Sequence, residues 1–492
     1  MLPNLLSINF LVPFVAHKFD ASKAIRGLRG MPRSVLLIGQ ANPPAGVDIT
    51  KRQRVSGEAE AIGLLGEGSM LLAMWRKAKA NADLGMPIDL VILADDDTAI
   101  AATGKVTLKV DAQHAAGELP LYIGGERIRI GLAINDTSAT AATKLINAIA
   151  ATPSLPVTAE AGKADGEVKL TCRWKGATGN SIDLRATYYA DDRLPLGVTL
   201  TIAPMAGGAV NPDITPVISA IKGFRATEYA MPYTDSPNLG VLEAELERRW
   251  GFDNMQDGQA VTVMRGTEGE VIGWLGPRNS PQVHTICVTR DLTNPWETAA
   301  AAAAAIESHA AIDPAVPFTG VKLNGYVAAR LDDDWEIEQR NNMLLAGGSV
   351  LETMEDGTAN ILRMVTNYTQ HPTGAVDKSW RNLNWVKTDS YYRWFTVTEF
   401  QTKYRGYKLA EYVTEPIPGQ KIMTAQLGTD IMLNNYEQFM SAGLFQHMDH
   451  YKKTLLVEVD GSNGKLKVVD QPVLITQHYQ TEITSEFIAG HV

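Results

Sequence analysis

Residues 34–39 read SVLLIG and residues 88–94 read IDLVILA. The first is a continuous apolar run closed by Gly39, and the second, apolar apart from Asp89, is closed by Asp95, Asp96 and Asp97. A strand buried on both faces reads this way, because neither row of its side chains meets water. Between them, residues 57–82 carry apolar positions at helical spacing, with a break at Gly66, Glu67 and Gly68. Ser69 suits the N-cap of the second piece, in which Met70, Leu71, Met74 and Trp75 share a face. Strand, helix, strand in this order predicts a βαβ unit with a right-handed crossover.

Downstream the character changes. Residues 104–211 hold short strands at 105–110, 121–130, 168–173, 181–189 and 197–202, separated by Gly-rich turns, with one helix at 138–151 capped by Ser138 or Thr137. This is a β-rich module set into an α/β domain, and exposed loops tolerate such insertions best. The α/β pattern resumes near Asp213, with helices at 214–221 and 239–256 and strands at 229–233, 260–265 and 284–289. Asn294 as N-cap, Pro295 at the first helical position and Glu297 at the third mark another helix start. The alanines at 299–305 form helix by propensity and present a small face to a neighbour.

From about Tyr326 the composition shifts to Trp, Tyr, Asn and Thr. Helices are expected at 336–347, within 389–412 and at 433–448, with a strand at 361–366. Residues 455–459 and 465–469 flank Gly461-Ser462-Asn463-Gly464 and predict a hairpin whose apolar row is Leu455, Val457, Val459, Leu466 and Val468.

Both ends look like strands without partners. In residues 1–20 the β-favouring Ile8, Phe10, Val12, Phe14 and Val15 are interrupted by Pro3 and Pro13, which rules out a long helix or a central strand. From Gln471 onward Val473, Ile475, Tyr479 and Ile483 alternate with polar residues. An unpaired strand edge invites another chain to complete it. Two such arms predict a subunit woven into a polymer.

Composition narrows the alternatives. The chain has 492 residues, 45% of them apolar and 20% charged, and a net charge of −10 without a Lys/Arg block. A nucleic-acid partner is not expected, because phosphate binding needs clustered cations. No apolar tract approaches the ~20 residues of a membrane span. The N-terminus lacks a basic region, and Asn9 and Pro13 break its apolar stretch, so it reads as an arm rather than a secretion signal. Cys172 and Cys287 stand alone, which suits a reducing cytoplasm.

Catalytic motifs are scarce. Gly66-Glu67-Gly68 completes no GxGxxG, and GxxxxGK[ST], HExxH and GxSxG are missing. The Asp triplets at 95–97 and 332–334 could offer oxygen ligands but fit no EF-hand, and solvated loops account for them. His447 and His450 could share a helix face as metal ligands, but no third ligand of comparable quality lies nearby and a polar helix end accounts for them better. Neither a cofactor nor an enzymatic activity is expected.

Several stretches, in order, resemble the sheath proteins of contractile phage tails, the Mu-like group in particular. Val12-Pro13 followed by Lys18-Phe19-Asp20 resembles that family's "VPGVYxEFD" opening, with Phe14 in place of its glycine. Residues 34–40 (SVLLIGQ) resemble its first core strand, 65–71 (LGEGSML) its "FGxGSML" and 175–183 (KGATGNSID) its "KGxxGNxI". Residues 338–345 (EQRNNMLL), Asp356-Gly357 and 363–368 (RMVTNY) resemble its "ERNxLL…DGxxxIxRxITTY" core. Sheaths of R-type pyocins and type VI secretion are related.

The resemblance implies an α+β, α/β multidomain chain: an N-terminal arm at 1–24, a sheath core at 25–103 and 213–330, an inserted β-rich outer domain at 104–212, an inner C-terminal domain at 331–470 and a C-terminal arm at 471–492. It implies a helical stack of hexameric rings around a tail tube protein, bounded by a baseplate and a tail terminator, in the tail of a virion assembled in bacterial cytoplasm. Lys403, Arg405 and Lys408 on one helix, and Lys452 with Lys453 after another, are basic spots suited to an acidic tube, or ordinary solvated cations. Two other classes remain open at this point: another self-assembling surface or filament protein, and a metal-dependent hydrolase.

Overall fold

The computed structural model describes residues 28–413 and 419–487. The N-terminal arm residues Ile8, Phe10, Val12, Phe14 and Val15 lie outside them. The chain divides into two compact units, one of residues 32–391 with the described residues from 477 onward, the other of residues 28–31 and 392–476.

In the first unit β1 (Val35–Gln40), a short β2 (Gln53–Arg54), α1 (Glu58–Leu65), α2 (Met70–Asn81) and β3 (Ile88–Leu93) form the expected βαβ unit. β1 and β3 are parallel and buried throughout, in register from Val35 opposite Ile88 to Gln40 opposite Leu93. Ser69 caps α2, accepting from the Leu72 amide at 3.3 Å. Asp89, buried within β3, is answered by Arg52 and by Arg54 at 2.7 Å.

β4 (Thr103–Val110), β5 (Gly117–Ile123), β6 (Glu126–Leu132), α3 (Ser138–Ala150), β7 (Val157–Ala161), β8 (Glu167–Cys172), β9 (Leu184–Arg185) and β10 (Val198–Ala206) follow. They form two sheets, ordered β10-β4-β8-β7 and β6-β5-β9, and none joins the sheet of β1. The strand expected at 121–130 is a hairpin, because Gly124 and Gly125 both take positive φ (58° and 87°) and reverse the chain. The strand expected at 181–189 shrinks to β9. The Asp192 carboxylate accepts from the Tyr188 and Tyr189 amides, each at 2.9 Å, and removes them from any ladder.

The α/β pattern then resumes with α4 (Thr215–Ala220), β11 (Glu228–Ala230), α5 (Ser236–Trp250), β12 (Gln259–Arg265), α6 (Glu268–Leu275), β13 (Val283–Val288), α7 (Pro295–Ile312), α8 (Ile337–Leu345), β14 (Gly348–Thr353) and β15 (Ala359–Arg363). Among the described residues these build an eight-stranded sheet, β15-β14-β13-β12-β11-β1-β3-β2, parallel except at its edge strands β15 and β2. α7 is buried from Pro295 to Ser308 and packs on α2, β11 and β12, where its alanines permit close approach. Asn294 holds the N-cap position, but its amide donates to the Glu297 carboxylate rather than accepting from the helix backbone.

α9 (Leu383–Lys403) starts earlier than the sequence suggests. The second unit continues with β16 (Lys408–Leu409), β17 (Ile422–Met423), α10 (Ala425–Ser441), α11 (Met448–Thr454), β18 (Leu456–Asp460) and β19 (Lys465–Val469). The helix expected at 433–448 is α10, shifted toward the N-terminus. Thr424 caps it by accepting from Leu427 at 3.1 Å, and Gly443 at φ 74° follows its end.

At the heart of the first unit lies a closed cluster of charge. Glu307 of α7 accepts from Arg33, just before β1, at 3.0 Å and from the Thr227 hydroxyl at 2.8 Å. Lys387 of α9 donates to both Glu307 and Glu228 of β11, and His284 of β13 sits 2.7 Å from Glu228. The side chains of all five ionisable groups are 0–5% exposed. Burial alone would push the Glu307 carboxyl up, but the Lys387 and Arg33 charges outweigh it and hold the group down at about 2.

A carboxylate so depressed stabilises the fold fully above its unfolded value of 4.5, and that contribution is lost as pH falls toward 2. Replacing Lys387 by Met should cost about 3–5 kcal/mol, because two carboxylates lose their shared cation. Urea unfolding at pH 7 checks the cost. Repeated at pH 3–4, it should show a smaller difference between the two proteins, since the wild type has by then lost part of what the variant lacks.

Candidate inter-subunit surfaces

β18 and β19 pair antiparallel from Leu456 opposite Val469 to Asp460 opposite Lys465. The turn is tied by Asp460, whose carboxylate accepts from the Ser462 hydroxyl at 2.8 Å and the Asn463 amide at 3.2 Å. Val457, Val459, Leu466 and Val468 are half-buried and alternate with exposed Leu456, Glu458, Lys465, Lys467 and Val469. α10 packs against both strands. Gly428 of α10 makes room, since a Cβ there would lie 2.9 Å from Leu466 and 3.0 Å from Val457. Leu455 precedes β18 and bonds back to the Tyr451 carbonyl at 2.9 Å. Among the described residues this sheet has two strands only, so both long edges carry unused backbone donors and acceptors. A two-stranded sheet is marginal on its own.

The segment after β19 is not the expected strand. It makes one isolated bridge, Phe445 opposite Leu474, flanked by Gln446 N to Val473 O and Ile475 N to Leu444 O, both at 3.0 Å. Val473 also donates its amide to the Tyr436 hydroxyl at 3.2 Å, and Tyr436 stacks on Tyr451 with centroids 3.7 Å apart. Asp470 accepts from Tyr392 at 2.6 Å and Tyr451 at 3.1 Å. Burial and the Asp470 charge push the Tyr392 hydroxyl far above its usual range, so it stays a donor.

Further on, within the first unit, Gln477 donates to the Ala315 carbonyl at 3.1 Å and Tyr479 to Asn384 at 3.3 Å, with Arg363 4.1 Å over the Tyr479 ring. Val473, Ile475 and Tyr479 are thus held by their own chain. Ile483 and Phe487 are not, at 81% and 87% exposure. The sequence treated 471 onward uniformly; only the stretch beyond Tyr479 leaves its apolar residues uncovered.

The basic residues divide differently from the sequence reading. Lys403 ends α9 and pairs with Glu399 at 2.8 Å. Arg405 lies in the turn made by Gly406 (φ 81°), and Lys408 opens β16, so the three do not share a helix. Lys452 and Lys453 occupy the last turn of the short α11. His447 holds the N-cap position of α11 in a left-handed conformation (φ 64°), and among the described residues no group of three His, Cys, Asp or Glu side chains converges. Burial pushes the Cys172 and Cys287 thiols up to about 12, which leaves them unreactive. Asp95 accepts from Gln40 at 2.7 Å and from the Lys175 amide at 3.2 Å, which gives it a structural use.

Among the described residues the hairpin keeps both edges open, and Ile483 and Phe487 remain uncovered. Comparison with known proteins gives the family. The chain is 31% identical over 470 residues, 95% of each sequence, to the Mu-like prophage FluMu tail sheath protein of Haemophilus influenzae. It belongs to this family of Mu-like contractile tail sheath proteins. No family model matches it. Solved structures similar to it include the sheath tail protein of Desulfitobacterium hafniense, at 13% identity over 95% of this chain and 100% of that one with a TM-score of 0.46. The helical sheath of the anti-feeding prophage in its contracted state is 12% identical over 97% of this chain and 99% of that one, with a TM-score of 0.45.

Gly428→Val should force Leu466 and Val457 off α10 and destabilise the second unit by about 1–3 kcal/mol. Hydrogen exchange of the amides in β18 and β19 checks this: protection should fall there while that of the eight-stranded sheet is unchanged.

Proposed function

We propose that the chain is the repeating subunit of a helical sheath, stacked in six-fold rings around a tail tube and completed at its ends by a baseplate and a terminator. Contraction of that sheath would drive the tube through a target envelope. The observation that carries this reading is the C-terminal stretch, which is pinned at Tyr479 and then exposes Ile483 and Phe487; within the other unit, the hairpin of β18 and β19 has open edges among the described residues. Strand donation between copies is β-augmentation, and a head-to-tail contact that does not close makes a filament. Residues 1–24 and 471–492 are assigned as arms, 104–212 as the outer domain, 25–103 with 213–330 as the sheath core and 331–470 as the inner domain. The particle is a virion tail or a related injection device, assembled in bacterial cytoplasm.

Magnitudes favour templated assembly. Ordering a ten-residue arm costs on the order of 10–15 kcal/mol. About five net hydrogen bonds return ~5 kcal/mol, and three or four buried apolar side chains roughly 6–9 more. One arm alone is near break-even, so several must engage together on the tube and baseplate. Contraction then becomes a rigid-body passage between two lattices with the arms as tethers. Lys403, Arg405, Lys408, Lys452 and Lys453 are the cations proposed to meet the tube.

Deleting residues 1–20 should leave a folded, soluble subunit that forms no tubes under negative-stain microscopy. Tubes from the truncated protein would refute the arm. Changing Lys452 and Lys453 to Gln should reduce co-assembly with tube several-fold without altering the fold; unchanged co-assembly would remove those two from the tube surface.

A further inference from the structure

Arg363 ends β15 and Arg381 stands just ahead of α9, and the backbone holds the two close together. Val365 bridges Asn382, and the Thr366 amide donates to the Arg381 carbonyl at 2.8 Å. Both arginines are half-buried. Arg363 donates from Nη2 to Asn382 Oδ1 at 3.3 Å, and its guanidinium lies 4.1 Å over the Tyr479 ring. Arg381 donates from Nη2 to the Leu344 carbonyl, in the last turn of α8, at 2.7 Å. The Nε of each is sealed from solvent without a partner, whereas Nη1 of each is accessible and makes no bond among the described residues. A carbonyl, an amide oxygen and an aromatic face are the contacts described for the pair, and none carries a full negative charge.

Other arginines of this unit are answered by acids. Arg33 meets Glu307 at 3.0 Å, Arg249 meets Glu245 at 2.7 Å and Arg340 meets Asp334 at 2.7 Å. Burial pulls the guanidinia of Arg225, Arg265 and Arg278 down, and each time an acid opposes it: Asp257, Asp291 and Glu243 respectively. Arg381 is pulled down by burial and then further by the charge of Arg363, with no acid opposing. Two like charges held together away from water are unfavourable until an anion joins them. Guanidinium forks match the paired oxygens of a carboxylate or a phosphate.

We propose that Arg363 and Arg381 form a binding site for one oxyanion of the carboxylate or phosphate class, whose oxygens bridge the two Nη1 groups. The bound anion cancels the repulsion within the pair, beside the ring on which Arg363 rests. Two sources supply such a group: a free phosphate ion, or a carboxylate side chain of a second copy. The site stands on the geometry of one chain, and only the second source rests on the sheath reading above.

The probe is inorganic phosphate, added to the dispersed full-length protein. Roughly 50 mM phosphate in place of chloride, at equal ionic strength, should raise the unfolding midpoint of the first unit by about 2–4 °C. Phosphate also stabilises proteins by exclusion from their surfaces, and that effect acts on variants and wild type alike. Arg363→Gln and Arg381→Lys should therefore keep only the exclusion part of the gain, and equal gains in all three proteins overturn the site. Arg381→Lys retains a positive charge and a donor for Leu344, which keeps the comparison available if Arg363→Gln fails to fold.

Equilibrium dialysis with radiolabelled phosphate gives a second readout. Binding should be roughly ten-fold weaker in either folded variant, and equal binding overturns the site. Dialysis of assembled sheath separates the sources. Binding that persists there identifies a free anion, and binding lost on assembly identifies a carboxylate of the neighbouring copy. If no sheath forms, the sheath reading fails while the dispersed protein still decides the site.

Discussion

Glu307 is the point on which the first unit turns. It is a carboxylate on a buried alanine-rich helix, and it would not stay ionised there without Arg33 and Lys387. Those two cations are far apart in the sequence, one ahead of β1 and the other in α9. Their partners in β11 and β13 bring the middle of the sheet into the same cluster. A buried arrangement of this kind adds little net stability over an apolar one, yet it is unforgiving of any other pairing. Only one register of α9 delivers Lys387 to both glutamates.

Much of this architecture was legible because local chemistry and global packing agree. The apolar runs of β1 and β3, the Ser69 cap and the Gly461-to-Gly464 turn each announce themselves within a few residues. The misreadings share a cause, in that a distant or unusual group overrides the local pattern. Asp192 takes the amides of Tyr188 and Tyr189, which composition alone would leave in a strand. Gly124 and Gly125 fold one apparent strand into two. The charge cluster was invisible: Glu228, His284, Glu307 and Lys387 are far apart in sequence, and nothing near any of them marks it as buried. α6, with its Thr267 to Glu270 capping box, carried a readable signal that was missed.

For the proposed assembly surfaces the division is sharper. The hairpin and its apolar row could be read directly, whereas the limit of the free C-terminal stretch could not. That limit is set by Gln477 on Ala315 and Tyr479 on Asn384, contacts between segments more than ninety residues apart. The sheets treat their other edges more cautiously. β10 carries Pro204 and an irregular register between Ala203 and Ala206, and β2 is only two residues long. β18 and β19 have regular pairing along their whole length.

The anchor at Tyr479 also sets a leash. Phe487 lies eight residues beyond it, and an extended chain gains at most ~3.3–3.6 Å per residue. Under the proposed strand donation, a groove that receives Phe487 would therefore stay within roughly 26–29 Å of the donor's Tyr479 ring. On that reading two linked copies could slide or swivel inside the radius, but a larger excursion would first have to pull the tyrosine out from under Arg363.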